Sequence, residues 1–557
     1  MSSGTITGNT AQRGTASLDT GYSGTGGGVI VWRGAKMNFS GGTISNNNAY
    51  ERGGGISVGG FQTFVGDTSS TLTMTGGTVT GNTAGSAGGG IFVQSGLSAD
   101  YNYGDPTYCV ATITAGTISN NTMTGNGESS KSFGGGGIYV NGYSSQYSYF
   151  HNGELYLTKT EISKNSASIA GGGYAGCPVS KTEVLLTNGS VFFGNTTDGG
   201  NARDIYILAS TAYGYHSGNP AYSVTPSMLG GGAYRWVNDS GTEVSLDKLS
   251  GTLNAVMQEE LGLSNSLDES DAGVQRALSM AQVHITGNAS ATRGGGIGTN
   301  GTVQIGKEVD TIDIPVTKQW KDYGDTDALR PESVTVELYR DGEYVGYQTI
   351  KADVDGNWAT TFANLPAEDV NGNAYTYTVK ERDVEGYTAE VTGAAQTGFT
   401  ITNNRTTSLD VSKKWSDNDN ADGTRPSSVT VNLLRDGEQI DSAKITVDAD
   451  GNWAYTFTGL AVYDESDGHE YAYTVEEATV EGYTSEVTGD AKSGFVITNT
   501  KTTTPPSDDT PLTSDKPKSE IPQTGDSSGL LVLLAVFGAL AICAGTLMSL
   551  NFRSRNR

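Results

Sequence analysis

The chain has 557 residues, 79 of them glycine, a hydrophobic fraction of 35% and a formal net charge of -26 with a pI near 4.5. That length calls for several domains, the apolar content is too high for a disordered chain, and the acidity leaves no basic stripe to neutralise phosphates, which excludes nucleic acid as a partner. Cysteines stand at 109, 177 and 543, the last inside an apolar run, so a Cys109–Cys177 pair is conceivable but no disulfide framework or CxxC metal site is present.

Residues 1–306 carry a degenerate glycine-rich repeat. Met1–Ile6 has no basic region ahead of an apolar core, so no secretory leader is read there. Thr5-Ile6-Thr7-Gly8-Asn9-Thr10-Ala11 already has the form of the repeat, and the sequence is expected to lack its true beginning. Gly42-Thr43-Ile44-Ser45-Asn46-Asn47 leads to Gly53-Gly54-Gly55-Ile56, and Gly77-Thr78-Val79-Thr80-Gly81-Asn82 leads to Gly88-Gly89-Gly90-Ile91. Further copies end at Ile138, Tyr174 and Ile297. Strands this short cannot form a core alone, so they are expected to stack as a solenoid, a right-handed parallel β-helix. The asparagines suit left-handed turns and a stacked side-chain ladder, and Gly-Gly-Gly suits backbone closed to other residues. No copy has the Gly-Lys-Ser/Thr of a phosphate loop. The pattern resembles the β-helix regions of bacterial surface proteins related in shape to pectate lyases, which implies a fold and not an activity.

The repeat breaks between 203 and 283. Leu253 to Gln282 has helix-like apolar spacing interrupted by Gly262 and Gly273, and its stripe of Val256, Met257, Leu261 and Leu263 is expected to pack on the solenoid. The histidines, at 151, 216, 284 and 469, fit neither HExxH nor a Ser-His-Asp context. Arg203 and Asp204 are the scattered candidates for a polysaccharide lyase or hydrolase. Tyr143, Tyr147 and Tyr149 suit sugar stacking or loop packing.

Residues 311–404 and 407–500 repeat one another, sharing RP-x-SVTV, RDGE, DGNWA, YTV, VEGYT, EVTG and GF-x-IT-N. Period-two alternation, as in Ile314, Val316, Lys318, Trp320 and in Tyr375, Tyr377, Val379, Glu381, predicts an antiparallel Ig-like or prealbumin-like β-sandwich in each. It also puts Lys318, Glu381 and Asn403, and again Lys413, Glu477 and Asn499, on the apolar face. A buried lysine and glutamate cost several kcal/mol unless paired or neutralised, roughly, and two readings stay open: a buried ion pair beside an amide, or a reaction. Desolvation would leave a neutral amine able to attack the asparagine and a carboxylic acid able to polarise it.

Both segments resemble collagen-adhesin (Cna) B-type domains, matching VTKQW and VSKKW at the start, YTVKE and YTVEE inside and ITN at the end. The resemblance implies spontaneous intramolecular isopeptide bonds, Lys318 to Asn403 with Glu381 as catalyst and Lys413 to Asn499 with Glu477, while Lys414 faces outward. Asp417-Asn418-Asp419 with Asp422-Gly423 is similar to part of a calcium loop but lacks its ligand spacing and terminal glutamate. No metal and no cofactor is expected.

Residues 501–520, rich in Thr, Pro, Ser and Asp, read as an extended linker. The segment 521–557 holds Ile521-Pro522-Gln523-Thr524-Gly525, an uncharged apolar run over 529–550 and a basic tail over 551–557 with Arg553, Arg555 and Arg557. The run is long enough for a transmembrane helix, and the tail favours the cytoplasmic side. This order resembles the LPXTG sorting signal of Gram-positive surface proteins, with isoleucine in the first position. The resemblance implies cleavage between Thr524 and Gly525 by a sortase and transfer to peptidoglycan, the membrane being a partner only before sorting. A plain tail anchor would need neither the pentapeptide nor the linker.

The combined expectation is an all-β multidomain protein of the cell wall. A head that binds an environmental or host glycan or a matrix protein stands on a braced stalk, and the protein is an adhesin and not an enzyme. A wall-displayed polysaccharide lyase or hydrolase is the alternative from another class. A pilus subunit is the third, although no pilin-lysine motif such as YPKN occurs.

Overall fold

A computed structural model of the chain describes residues 1–13, 24–60, 68–97, 106–127, 134–142, 150–176, 183–186, 189–209, 219–306, 310–369 and 372–502. These residues are mostly β-structure, with one α-helix among them, Ala272–Met280.

Up to Ile305 the strands gather into almost wholly parallel sheets of 13, 9 and 7 strands. Each repeat gives strands to all three and returns to begin the next. Equivalent residues stand in register: Ile44 opposite Val79, Val79 opposite Ile118, and Ile118 opposite Ile285. All four are fully buried, so every turn of chain adds one apolar layer to a continuous core. The outward neighbours Thr43, Thr78 and Thr117 are half-buried, as a pleat with one wet face requires.

Beside that core runs the asparagine ladder. Asn47 Nδ2 donates to Asn82 Oδ1 at 3.0 Å, and Asn82 Nδ2 to Asn121 Oδ1 at 2.9 Å. From Asn121 it passes to Asn288, Asn165 and Asn195. The third glycine of each Gly-Gly-Gly lies against it. A Cβ at Gly90 would stand 2.9 Å from Asn121 Nδ2, and one at Gly55 3.0 Å from Asn82 Nδ2, so a side chain there would collide with the ladder. The first glycine has positive φ, +62° at Gly88 and +66° at Gly53.

The stacking order departs from the chain order. Leu157 pairs directly with Ile113, but Thr160, three residues on, reaches Gly116 only through Val283. The chain skips one layer there, and the last coil fills it: Ile297 lies between Ile138 and Tyr174, and Val303 between Leu155 and Val184.

The break between 203 and 283 corrects one expectation. Leu253–Gln282 is not helical throughout, because Glu260–Asn265 is a strand antiparallel to Ile205–Leu208 and only Ala272–Met280 forms the helix, capped by Asp271. Val256 and Met257 are 76% and 70% exposed and pack on nothing, whereas Leu263 is fully buried and Leu261 half-buried on the strand. Period-two burial along 261–263 competes with the helical spacing, and pairing with an existing sheet edge wins.

Beyond residue 310 come two sandwiches. In the first, Thr311–Lys321 lies between Trp358–Pro366, antiparallel, and the start of Gly398–Ser416, parallel, and faces a sheet of Val334–Arg340, Glu343–Ile350 and Tyr377–Glu381. The 19-residue strand Gly398–Ser416 then opens the second sandwich, where it pairs with Ala454–Ala461 and Gly494–Lys501. Ile314, Val316, Val336, Leu338, Phe362 and Ile401 are the heart of the first core, and Leu409, Val411, Val431, Leu433, Phe457 and Ile497 that of the second.

Among the described residues no helix is long and apolar enough to cross a membrane. The expected span over 529–550, the motif Ile521–Gly525, the linker beyond residue 502, Cys177 and Tyr143, Tyr147 and Tyr149 all lie outside the described residues.

Candidate covalent site in the two sandwiches

Alternation along Thr311–Lys321 carries Lys318 inward between Val316 and the half-buried Trp320. The parallel neighbour brings Asn403 in opposite Trp320, two positions past Ile401, which lies opposite Lys318. Glu381, at the end of Tyr377–Glu381, enters from the other sheet. The trio thus spans the core, lysine and asparagine on one wall and glutamate on the other.

Lys318 Nζ is 3.6 Å from Glu381 Oε1, and their side chains are 0% and 1% exposed. Lys413 Nζ is 3.2 Å from Glu477 Oε1 with the same burial. Each ammonium also reaches one backbone carbonyl, Lys318 that of Gln319 at 3.0 Å and Lys413 that of Ile497 at 3.5 Å. Asn403 and Asn499 are fully buried, and neither amide oxygen nor amide nitrogen makes a hydrogen bond of acceptable geometry. An unpaired buried amide costs about 1–3 kcal/mol, and here the cost recurs at the same position of both repeats.

Burial is the main influence on the charges. It pushes the Lys318 ammonium down to about 8 despite the opposing attraction of Glu381, and pushes the Glu381 carboxyl up against the pull of Lys318 and the nearby Asn403 amide. Lys413 is lowered for the same reason. In the first sandwich both partners thus move toward the neutral amine and neutral acid. The arrangement can therefore supply a nucleophile, a proton donor and an unsolvated carboxamide in one dry volume.

Trp320 closes the site, with Lys318 Nζ 4.1 Å from its ring centroid. The indole is held edge-on by Trp358 and Tyr387, with centroids 5.2 and 5.0 Å away, and Arg330 lies over it at 5.5 Å. Arg330 is fixed in turn by Asp322, which also accepts from Tyr387 Oη at 3.0 Å. The second sandwich repeats this with Trp415, Trp453, Tyr483, Arg425 and Asp417. Sequence reasoning did not join these residues into one closure of the site, and read Asp417 as part of a calcium-like fragment, although the shared RP, VEGYT and the aspartate two past each tryptophan carried the signal.

Asp417 is occupied by Arg425, Tyr483 and the Asn420 amide, and Asp422 by Lys501, so the fragment similar to a calcium loop is used for internal bonds. Asp464, Asp467 and His469 converge at the surface, where Asp464 and Asp467 accept turn hydrogen bonds. In the head, Asp204 is 2% exposed and accepts from Asn195 Nδ2 at 2.7 Å and the Asn265 amide at 2.6 Å. It faces the ladder, while Arg203 beside it is exposed, so these two do not form a site together.

Residues 314–404 and 409–500 match the Cna protein B-type domain. Both sandwiches are B-type domains. Over 178 residues the chain is 40% identical to the collagen adhesin of Staphylococcus aureus, which covers 31% of this chain and 14% of that protein. Solved structures that align with it include a single B repeat unit (B1) of the collagen binding surface protein of Staphylococcus aureus, 35% identical over 35% of this chain and 100% of that one, with a TM-score of 0.17. Another is the pilus adhesin SpaC of Lactobacillus rhamnosus GG, 18% identical over 35% of this chain and 29% of that one, with a TM-score of 0.16. The matched stretch is a small part of the collagen adhesin's own length.

Proposed function

We propose that the chain is a surface adhesin of a Gram-positive cell wall, in which a right-handed parallel β-helix presents a binding side and two B-type domains, each braced by an isopeptide bond, form the stalk. The observation that carries the reading is the twice-built trio: a lysine and a glutamate without solvent beside a buried carboxamide that has no partner. Lysine Nζ, as the neutral amine, attacks asparagine Cγ. The new C–N bond replaces the old one, the glutamic acid passes a proton to the departing nitrogen and takes one back from the attacking nitrogen, and ammonia leaves. The product has no buried charge.

Each bond would close most of a domain into one loop, and by analogy with cross-link entropy stabilise it by about 4 to 5 kcal/mol. Because it would join neighbouring parallel strands at the two ends of the domain, tension along the chain would load a covalent bond instead of peeling hydrogen bonds. Sorting through Ile521, Pro522, Gln523, Thr524 and Gly525, with sortase as enzyme and peptidoglycan as acceptor, completes the proposal, as does a glycan or matrix protein as the ligand of the head. The name of the collagen adhesin supports a matrix ligand, and the parallel register of the head supports the β-helix.

Intact mass of the purified protein is the test. The reading expects a deficit of two ammonia molecules, reduced to one by Glu381→Ala or by Glu477→Ala and to none by both. A wild-type mass equal to that of the sequence would sink the covalent stalk. For anchoring, protein released from the wall by muramidase should end at Thr524 carrying peptidoglycan fragments, and a wall-released chain that retains 529–550 would overturn sorting.

A further inference from the structure

The ladder obeys one rule in six coils. Each of the six asparagines donates from Nδ2 back to the carbonyl of the central residue in the coil before, and the first five also donate forward to the asparagine of the next coil. The backward acceptors are Ile6 for Asn47, Ile44 for Asn82, Val79 for Asn121, Ile118 for Asn288, Ile285 for Asn165 and Ile162 for Asn195. After Asn195 the rule demands an asparagine that accepts from Asn195 Nδ2 and donates to the carbonyl of Phe192. Among the described residues no further coil supplies it.

Two residues from different segments take the two seats. Asp204 Oδ1 accepts from Asn195 Nδ2 at 2.7 Å, and Asn265 Nδ2 donates to the Phe192 carbonyl at 2.9 Å. They are joined by the Asn265 amide, which donates to Asp204 Oδ2 at 2.6 Å. Asp204 reaches its seat because Tyr174 pairs with Ile205, so Asp204 occupies the third-glycine position of its coil, next to Gly173 in the stack. At Gly173 a Cβ would stand 3.0 Å from Asn195 Nδ2, so glycine is what lets a further coil lie down. An aspartate in that position fills the space of the next asparagine.

We propose that Asp204 and Asn265 together form a composite terminal rung that ends the parallel stack and recruits the antiparallel strand Glu260–Asn265 as its cover. The carboxylate is required because the seat must accept twice, from a side-chain amide and from a backbone N–H, whereas asparagine would turn its own NH2 toward one of them. An uncovered parallel edge invites pairing with another chain, and this rung closes that edge without a separate capping domain. The inference rests on the head alone and is independent of the stalk chemistry.

Hydrogen exchange of the full-length protein, read by mass spectrometry, tests it with two variants. Asp204→Asn keeps the acceptor for Asn195 but loses the one for Asn265. It is expected to speed exchange over 260–266 by roughly tenfold or more, the size of a lost hydrogen bond to a charged group, while 190–197 stays as in the wild type. Asp204→Gly removes both acceptors and is expected to speed both segments, leaving 43–58 untouched. Unchanged exchange over 260–266 in Asp204→Asn would overturn the proposal. Acceleration spread evenly through the head, with 43–58 included, would also overturn it by marking Asp204 as an ordinary core residue.

Discussion

Asn121 and Asn288 are 167 positions apart in the chain, yet Asn121 Nδ2 donates to Asn288 Oδ1 at 2.9 Å. Asn288 Nδ2 then donates to Asn165 Oδ1, also at 2.9 Å, so the last coil of the head is laced into the stack on both of its faces. The chain leaves for the stalk from that coil, which means that a pull from the stalk enters the parallel stack between two hydrogen-bonded neighbours instead of peeling an end.

Asn288→Ala should therefore weaken two interfaces at once. It removes ladder bonds on both sides and orphans buried partners, a loss of about 2–4 kcal/mol at roughly 1–3 kcal/mol for each unsatisfied group. Asn9→Ala, at an exposed end, should cost under about 1 kcal/mol. Denaturant unfolding of the head gives both values, and equal losses would contradict a buried wedge.

The ladder fixes the glycines too. Gly90→Ala would place a Cβ 2.6 Å from the Gly137 carbonyl oxygen and 2.9 Å from Asn121 Nδ2, contacts with backbone and with a locked side chain. A cost of about 1–3 kcal/mol follows from overpacking. At Gly199 nothing lies within 4 Å of the added carbon, and alanine there should be neutral or stabilise by about 0.5 kcal/mol through the unfolded chain. The difference in thermal midpoint between the two variants is the measurement.

Much of this was legible in the residues. Asn47 and Asn82 announced a ladder because one residue type recurs at one place in each turn, and Lys318, Glu381 and Asn403 announced themselves because strict alternation put polar groups inside. What was hidden depends on contacts between distant segments. The wedge of 283–305 obeys the same local pattern as every other coil, so nothing in Ile285 or Asn288 marks which neighbours it will choose. Asp204 looked like a stray acid until register placed it at a glycine position. Leu261 and Leu263 fit a helix and a strand equally well over so short a stretch, and the open edge of Ile205–Leu208 decided between them.

His284 and Glu161 give the head a pH dependence. Their side chains, 38% and 14% exposed, meet across adjacent strands with Nδ1 2.7 Å from Oε2. The hydrogen bond to Glu161 raises His284 above its ordinary 6.5. Burial opposes the charge on Glu161, but the bonds from His284 and Ser163 outweigh it and hold the carboxyl below 4.5. A raised histidine stabilises fully below its unfolded value and loses that contribution as pH rises through the folded one. A lowered glutamate loses its contribution as pH falls through its folded value. The pair should help most between the two limits, by no more than about 1 kcal/mol given solvent screening. Urea midpoints from about pH 3 to 9, a range that runs past both ordinary pKa values, should show the loss at both ends, and Glu161→Gln should flatten the curve.

The junction of head and stalk separates the two B-type domains despite their shared sequence. Arg340 is 4% exposed in the first, donates to Ser227 Oγ at 2.5 Å and to the Gly231 carbonyl, and lies 4.4 Å from the Tyr375 ring centroid. Tyr344 Oη donates to Glu243 at 2.8 Å, Tyr347 Oη to the Glu243 carbonyl at 3.0 Å, and Leu246 packs on the cores of both the head and the first sandwich. In the second sandwich the matching arginine, Arg435, stacks 4.3 Å from the Tyr471 ring centroid and stays half-buried. Arg340→Ala removes two hydrogen bonds from a charged donor, worth about 1.5–3 kcal/mol each at most. The expected result is a head that swings on the stalk, seen as a broader distance distribution in small-angle scattering and faster proteolysis near residues 306–311. Arg435→Ala should change neither. Identical behaviour of the two variants would show that the insertion between 203 and 283 does not hold the head in place.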